Sequence, residues 1–220
     1  MVCRGLERPI LFSSGQSALW VIESPRVFAE YIQELCVQQA GGEGRFVLSE
    51  NEEEVSIEKH VEIVINPFSV DINDKRILSR LYRELSQKAF GENMYLYTQK
   101  VISVLNQYFA ELEQQESYFL TADTEIDMMA VFKAMGVKVE NYADDYMQNI
   151  SQYMKLIAEL LSKKVIVFVN LRSYMEIWQV EEIIREAAHN EMAVLFIESS
   201  QKSFPKDVIQ YIIDNDICEI

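Results

Sequence analysis

The strongest constraint on this fold is a pair of unbroken apolar runs near the end of the chain, residues 165–170 (VIVFVN) and 193–198 (AVLFIE). Continuous β-branched runs of this length are strands buried on both faces, as in a parallel sheet. An amphipathic stretch over 176–189 separates them, and strand–helix–strand at this spacing is a βαβ unit. Two further runs, 18–22 (ALWVI) and 61–65 (VEIVI), lie far upstream. Between the first two, Ser24 and Pro25 set the N-cap and first position of a helix over 25–39. Segments around 45–48 and 55–57 read as a hairpin or edge strands, and 208–213 and 217–220 as closing strands. The chain is therefore α/β, with a mostly parallel sheet assembled from its two ends.

The middle differs. Asp71 or Asn73 caps a helix over 74–89, with Ile77, Leu78, Leu81 and Leu85 on its apolar face. Gly91 ends it, and helices follow over 94–115, 124–135 and 142–161. Thr121 to Glu125 supply cap chemistry for the second of these, and Gly136 stops it. The expected organisation is an α/β head from residues 1–87 and 161–220, with an inserted α-helical leg over 88–160.

Of 220 residues, 20 are Lys or Arg and 35 Asp or Glu, a net charge of −15. A negative field of that size opposes non-specific nucleic-acid binding. The charge is segregated, however. Residues 75–100 hold six basic side chains and two acidic ones, and 111–145 hold nine acidic and two basic. No apolar run is long enough for a membrane span, and the first 14 residues lack the pattern of a signal peptide. Cys3, Cys36 and Cys218 are too few and too scattered for a disulfide framework or zinc, so reduced cysteines in a cytoplasm are expected.

The search for chemistry is mostly negative. Neither G-x-x-x-x-G-K-[ST] nor G-x-G-x-x-G occurs, and the first strand runs into Glu23-Ser24-Pro25-Arg26 without a glycine. Gly41, Gly42 and Gly44 follow a helix, not a strand. His60 and His189 have structural readings, the second at a helix C-terminus. Two clusters stay open. Arg76, Arg80 and Arg83 share one helical face, which is either a solvated face or a row of cations facing a phosphate backbone. Lys138 and Arg172 join them as candidate DNA contacts. Glu113, Glu116, Asp123, Glu125 and Asp127 form either a solvated junction or a calcium site, although no EF-hand spacing is present.

Four segments resemble one known family in order and spacing. Asp71-Ile72-Asn73 with Ile77-Leu78 is similar to that family's D-V-N-x-x-x-I-L. Residues 131–140 (VFKAMGVKVE) resemble its ELIKSLGVKVE, 161–170 (LSKKVIVFVN) its LTKKKLLIFVN strand, and 192–198 (MAVLFIE) its LTVLFLE strand. The family is the Csn-two family of type II-A CRISPR adaptation, in its short form. The resemblance implies a head related in fold to P-loop ATPases but lacking their nucleotide site, together with a helical leg. It further implies a homotetrameric ring that holds double-stranded DNA in a positively lined hole and is stabilised by calcium. Its partners are the adaptation integrase proteins and the RNA-guided nuclease, and it has no enzymatic activity. Glu116, Asp123, Glu125 and Asp127 are the calcium candidates, although residues 117–122 (SYFLTA) replace much of the family's acidic run. Two other readings stand beside this one: a protein-interaction scaffold without DNA binding, and a P-loop-type nucleotide-binding enzyme.

Overall fold

The computed structural model describes residues 1–3, 8–11, 15–51, 53–123, 125–143 and 145–220. The Cys3 side chain and Thr124, both singled out from sequence, lie outside the described residues. The chain divides into two compact units, one of residues 1–72 with 141–220 and the other of 73–140.

The first unit is built on a five-stranded sheet. Its strands are β2 (Ser17–Ile22), β5 (Val61–Val64), β6 (Val165–Val169), β7 (Ala193–Glu198) and β8 (Ile209–Ile213). Their order is β5-β6-β7-β2-β8, and every neighbouring pair is parallel. β2, β6 and β7 are buried along their whole length, which is why they read as unbroken apolar runs. The two ends of the chain meet at β2 and β7, as the sequence requires. The stretch 217–220 is not a strand and makes only an isolated bridge, Ile213 to Glu219.

One sheet face is closed by α1 (Pro25–Gln39) and by the small antiparallel sheet β1 (Val2–Cys3), β3 (Phe46–Glu50) and β4 (Glu53–Val55). Trp20 stacks on Tyr31 at 5.3 Å, and Phe46 meets both rings edge-on. Burial of side chains this large contributes about 1.5–3 kcal/mol each. Ser24 occupies the N-cap of α1, but its side chain makes no cap bond. Alternate strand residues, among them Phe168 and Phe196, are buried on the other face. There α7 (Ile177–His189) packs on β7 and against α6 (Tyr146–Leu161).

One ion pair enters this core beside β5 and the short helix α2 (Ile57–His60). Glu62 is 3% exposed and accepts a hydrogen bond from Tyr153 Oη at 2.7 Å. Lys163 Nζ lies 3.7 Å from the other carboxylate oxygen and donates to the carbonyls of Glu58 and Val61. Each buried charge is thus bonded as well as paired, the condition under which such pairs are tolerated.

The second unit holds α3 (Lys75–Ala89), α4 (Tyr95–Glu113) and α5 (Met128–Ala134). Asp74, not Asp71 or Asn73, caps α3, accepting from the N–H groups of Arg76 and Ile77. Asn73 instead brackets the backbone of Val139, donating to its carbonyl and accepting from its N–H. α5 is shorter than the 124–135 expected and is capped by Asp127. It ends before Gly136 at φ +68°, a left-handed position suited to glycine. The expected junctions at 87/88 and 160/161 differ from the observed division at 72/73 and 140/141. The difference is two helices: α3 packs on α5, and α6 lies against α7.

Candidate nucleic-acid interface

Parallel α/β sheets bind ligands at the carboxyl ends of their strands. Here that edge is occupied by the protein's own polar groups. β2 passes into α1 through only Glu23 and Ser24, too short a connection to wrap a phosphate, and the Glu23 carboxylate accepts from Gln201 Nε2. Glu198, at the end of β7, is fully buried and accepts from Arg172 N at 2.9 Å and from Lys202 Nζ at 3.2 Å. Asn170 Oδ1 accepts from both the N–H and the hydroxyl of Ser199. The loops after β6 and β7 are therefore bonded to each other, and this edge offers no phosphate cradle.

Arg172 belongs to that network. Its guanidinium donates to Ser203 O at 3.0 Å and to the carbonyl of Met175. A DNA phosphate would have to displace these bonds to recruit it.

The other four DNA candidates lie together in the second unit. α3 turns Ile77 inward with Leu78, Leu81 and Leu85 half-buried, and this leaves Arg76 and Arg83 exposed and Arg80 half-buried on the opposite side. Tyr82 Oη donates to Val137 O at 2.9 Å, and Asn73 brackets Val139. The segment 137–139 is thereby pinned alongside α3, which places exposed Lys138 beside the helix that carries the three arginines. Arg76 pairs with Asp74 at 2.9 Å and Arg80 with Glu84 at 3.5 Å. Exposed pairs of this kind contribute about 0–1 kcal/mol, so a phosphate can replace the carboxylate. Arg83 and Lys138 have no ion-pair partner among the described residues. The unit holds eight Lys and Arg against ten Asp and Glu, a net of −2, which leaves −13 on the α/β unit.

The acidic candidates are not gathered. Glu116, Asp123 and Glu125 are exposed, and Asp127 is committed to Met129 N at 2.8 Å as the α5 cap. Glu113 accepts weakly from Leu120 N. Among the described residues no three His, Cys, Asp or Glu side chains cluster closely enough to hold a metal ion. The described residues of one chain therefore bring together fewer carboxylates than a calcium ion takes, which is six or more oxygens.

Sequence reasoning missed two features. One is the closed polar edge, which depends on pairings between the remote loops after β6 and β7. The other is an apolar stripe on α4, where Tyr97, Val101, Val104 and Tyr108 recur at helical spacing and are all exposed, with Thr98 the helix's buried residue. That spacing was legible, but it reads as an ordinary core face until the structure leaves it uncovered.

Fold and site together define a class: a parallel α/β protein whose usual ligand edge is sealed and whose cations are concentrated on an inserted helical unit. The sequence model described as CRISPR-associated protein (Cas_Csn2) matches residues 38–217. The chain belongs to this family. It is similar to the CRISPR-associated protein Csn2 of Enterococcus faecalis, with 23% identity over 214 residues, 96% of this chain and 93% of that protein. It is also similar to the CRISPR-associated protein Csn2 of Streptococcus agalactiae, with 24% identity over 156 residues, 70% of this chain and 68% of that one. No helix among the described residues is long and apolar enough to cross a membrane.

Proposed function

We propose that this chain is a double-stranded DNA-binding protein of CRISPR adaptation that acts in spacer acquisition as a homotetrameric ring around the duplex. The observation that carries the reading is the grouping of Arg76, Arg80, Arg83 and Lys138 in one unit whose net charge is near zero, on a chain that is otherwise strongly acidic. Repeated in four copies around an axis, that grouping supplies a cationic wall. Binding is then directed at phosphates, independent of sequence and driven by counterion release. The uncovered α4 stripe supports self-association, because an apolar helix face of this length is normally buried.

The same reading makes the protein a non-enzyme, and nucleotide turnover above background would count against it. Calcium is proposed as a ligand of the assembly, because the described carboxylates of one chain do not gather into a site of three or more. The integrase proteins of adaptation and the RNA-guided nuclease are its proposed partners, and the cytoplasm its proposed compartment. A scaffold reading draws on the net −13 of the α/β unit, which suits basic protein partners.

Mobility shift with linear duplex at low salt, with calcium or with a chelator, tests the reading. The expected result is a retarded complex in at least one condition that is lost when Arg76, Arg80 and Arg83 become Ala. Free duplex in both conditions would leave the scaffold reading in place of the clamp.

A further inference from the structure

A groove of about 890 Å³ runs between α6 and α7, within the α/β unit and remote in sequence from the arginine helix. The two helices lie side by side in the same direction. Their starts are joined by Gln179 Nε2 donating to Tyr146 Oη at 2.6 Å. At that end two aromatic rings stand in solvent: Tyr142 is 68% exposed and Trp178 60%. Tyr146, between them in the lining, is backed by Phe68 at 5.4 Å.

From Trp178 the groove wall continues along α7 through Glu182 and Glu186, at i+4 and i+8, and ends at Glu191. Asp145 and Glu159 add carboxylates from the α6 side, while Lys155 is the one ammonium in the lining and pairs with Glu159 at 4.0 Å. Among the described residues, no cation lies within ion-pair distance of Asp145, Glu182, Glu186 or Glu191. The groove therefore combines a flat π surface at one end with a file of carboxylates leading away from it.

We propose that this groove is a docking site for an arginine-bearing extended segment of a protein partner. A guanidinium is planar and weakly hydrated, so it stacks on an indole while its neighbours in the segment meet carboxylates in bidentate fashion. From Tyr146 to Glu159 the α6 wall is about 20 Å long, at 1.5 Å per residue. An extended segment of about six residues spans that length. The carboxylates repel nucleic acid, so the aromatic rings are not a base-stacking platform. The site is independent of the DNA reading: loss of duplex binding on the helical unit leaves it untouched, and the reverse holds.

The test uses the intact protein and a fluorescein-labelled hexa-arginine amide, followed by anisotropy, with hexa-lysine and hexa-glutamate as comparators. Hexa-arginine is expected to bind more tightly than hexa-lysine, with no binding of hexa-glutamate. Trp178→Ala should weaken the arginine peptide about tenfold, the scale of a partly desolvated cation–π contact. Glu182→Gln with Glu186→Gln should weaken it at least as much. Glu53→Gln with Glu54→Gln removes the same charge from the exposed strand β4 and should leave affinity unchanged within about twofold. Equal weakening by both pairs, or an indifferent Trp178→Ala, would reduce the effect to the general acidic field and overturn the site. A fall in the mass of the assembly on Trp178→Ala, read by light scattering, would make the groove a contact between copies of this chain and also overturn it.

Discussion

The two units of this chain solve the problem of apolar surface in opposite ways. The α/β unit buries three strands completely and admits charge to its core as bonded groups, Glu62 with Lys163, and Glu198 held by Lys202 and the Arg172 N–H. The helical unit carries a 19-residue helix, α4, with Thr98 as its buried residue and an apolar stripe in solvent. One unit covers its apolar strands with its own chain, and the other keeps an apolar helix face exposed. Charge follows the same division: the α/β unit carries almost all of the excess acid, and the helical one holds the grouped cations. If the proposed assembly forms through α4, stability and assembly lie in different parts of the sequence, and substitutions should separate them.

The largest separation is expected at Lys163. Lys163→Met leaves Glu62 charged and buried with its Tyr153 bond but without its cation. Breaking a buried pair from one side costs about 3–5 kcal/mol. Urea unfolding should lose that much, whereas Arg83→Ala in the helical unit should stay within about 0.5 kcal/mol of the parent. Similar losses at the two positions would erase the contrast.

Val104→Glu sharpens the contrast from the other side. Val104 is 64% exposed in the α4 stripe, so a carboxylate there meets water in the isolated chain. Its effect on unfolding should be below about 0.5 kcal/mol, while the mass by light scattering should drop below that of the parent assembly. A variant that unfolds early at unchanged mass would mean that the stripe is covered within its own chain.

A smaller, pH-dependent effect is expected at Arg45. Its guanidinium hydrogen-bonds Glu34 through Nε and Nη2, and its backbone N–H also reaches that carboxylate. Chiefly through the side-chain bonds, Glu34 is held below the ordinary glutamate range. The stabilisation is complete above the unfolded glutamate pKa and disappears as pH falls through the folded value. Arg45→Ala should thus lower stability slightly at neutral pH and converge with the parent in acid. A gap between the two that widens in acid would contradict the sign.

Much of the α/β unit was legible because its strands are buried on both faces. Such runs as VIVFVN and AVLFIE have few other places to go, and helix 25–39 was bounded at both ends by Pro25 and the glycine loop. The helical unit was legible in outline but not at its borders. Asn73 resembles a cap in sequence, yet its side chain brackets Val139, 66 residues away, and no local pattern encodes that. The site divided in the same way. The Arg76–Arg80–Arg83 face follows from helical spacing alone, whereas the pinning of the 137–139 segment, which carries Lys138, depends on the remote Tyr82 and Asn73. The bonds of Arg172 to Met175 and to Ser203 across a loop were not legible from its neighbours in sequence.

In the proposed function, a minority of cations on the helical unit grips duplex phosphates on a chain of net charge −15. Its most direct measurement is the salt dependence of linear-duplex binding, for the parent and for the variant with Arg76, Arg80 and Arg83 changed to Ala. A steep log–log slope is expected in the parent, becoming shallower by about 0.9 for each phosphate contact removed. An identical slope and affinity in the two proteins would contradict it.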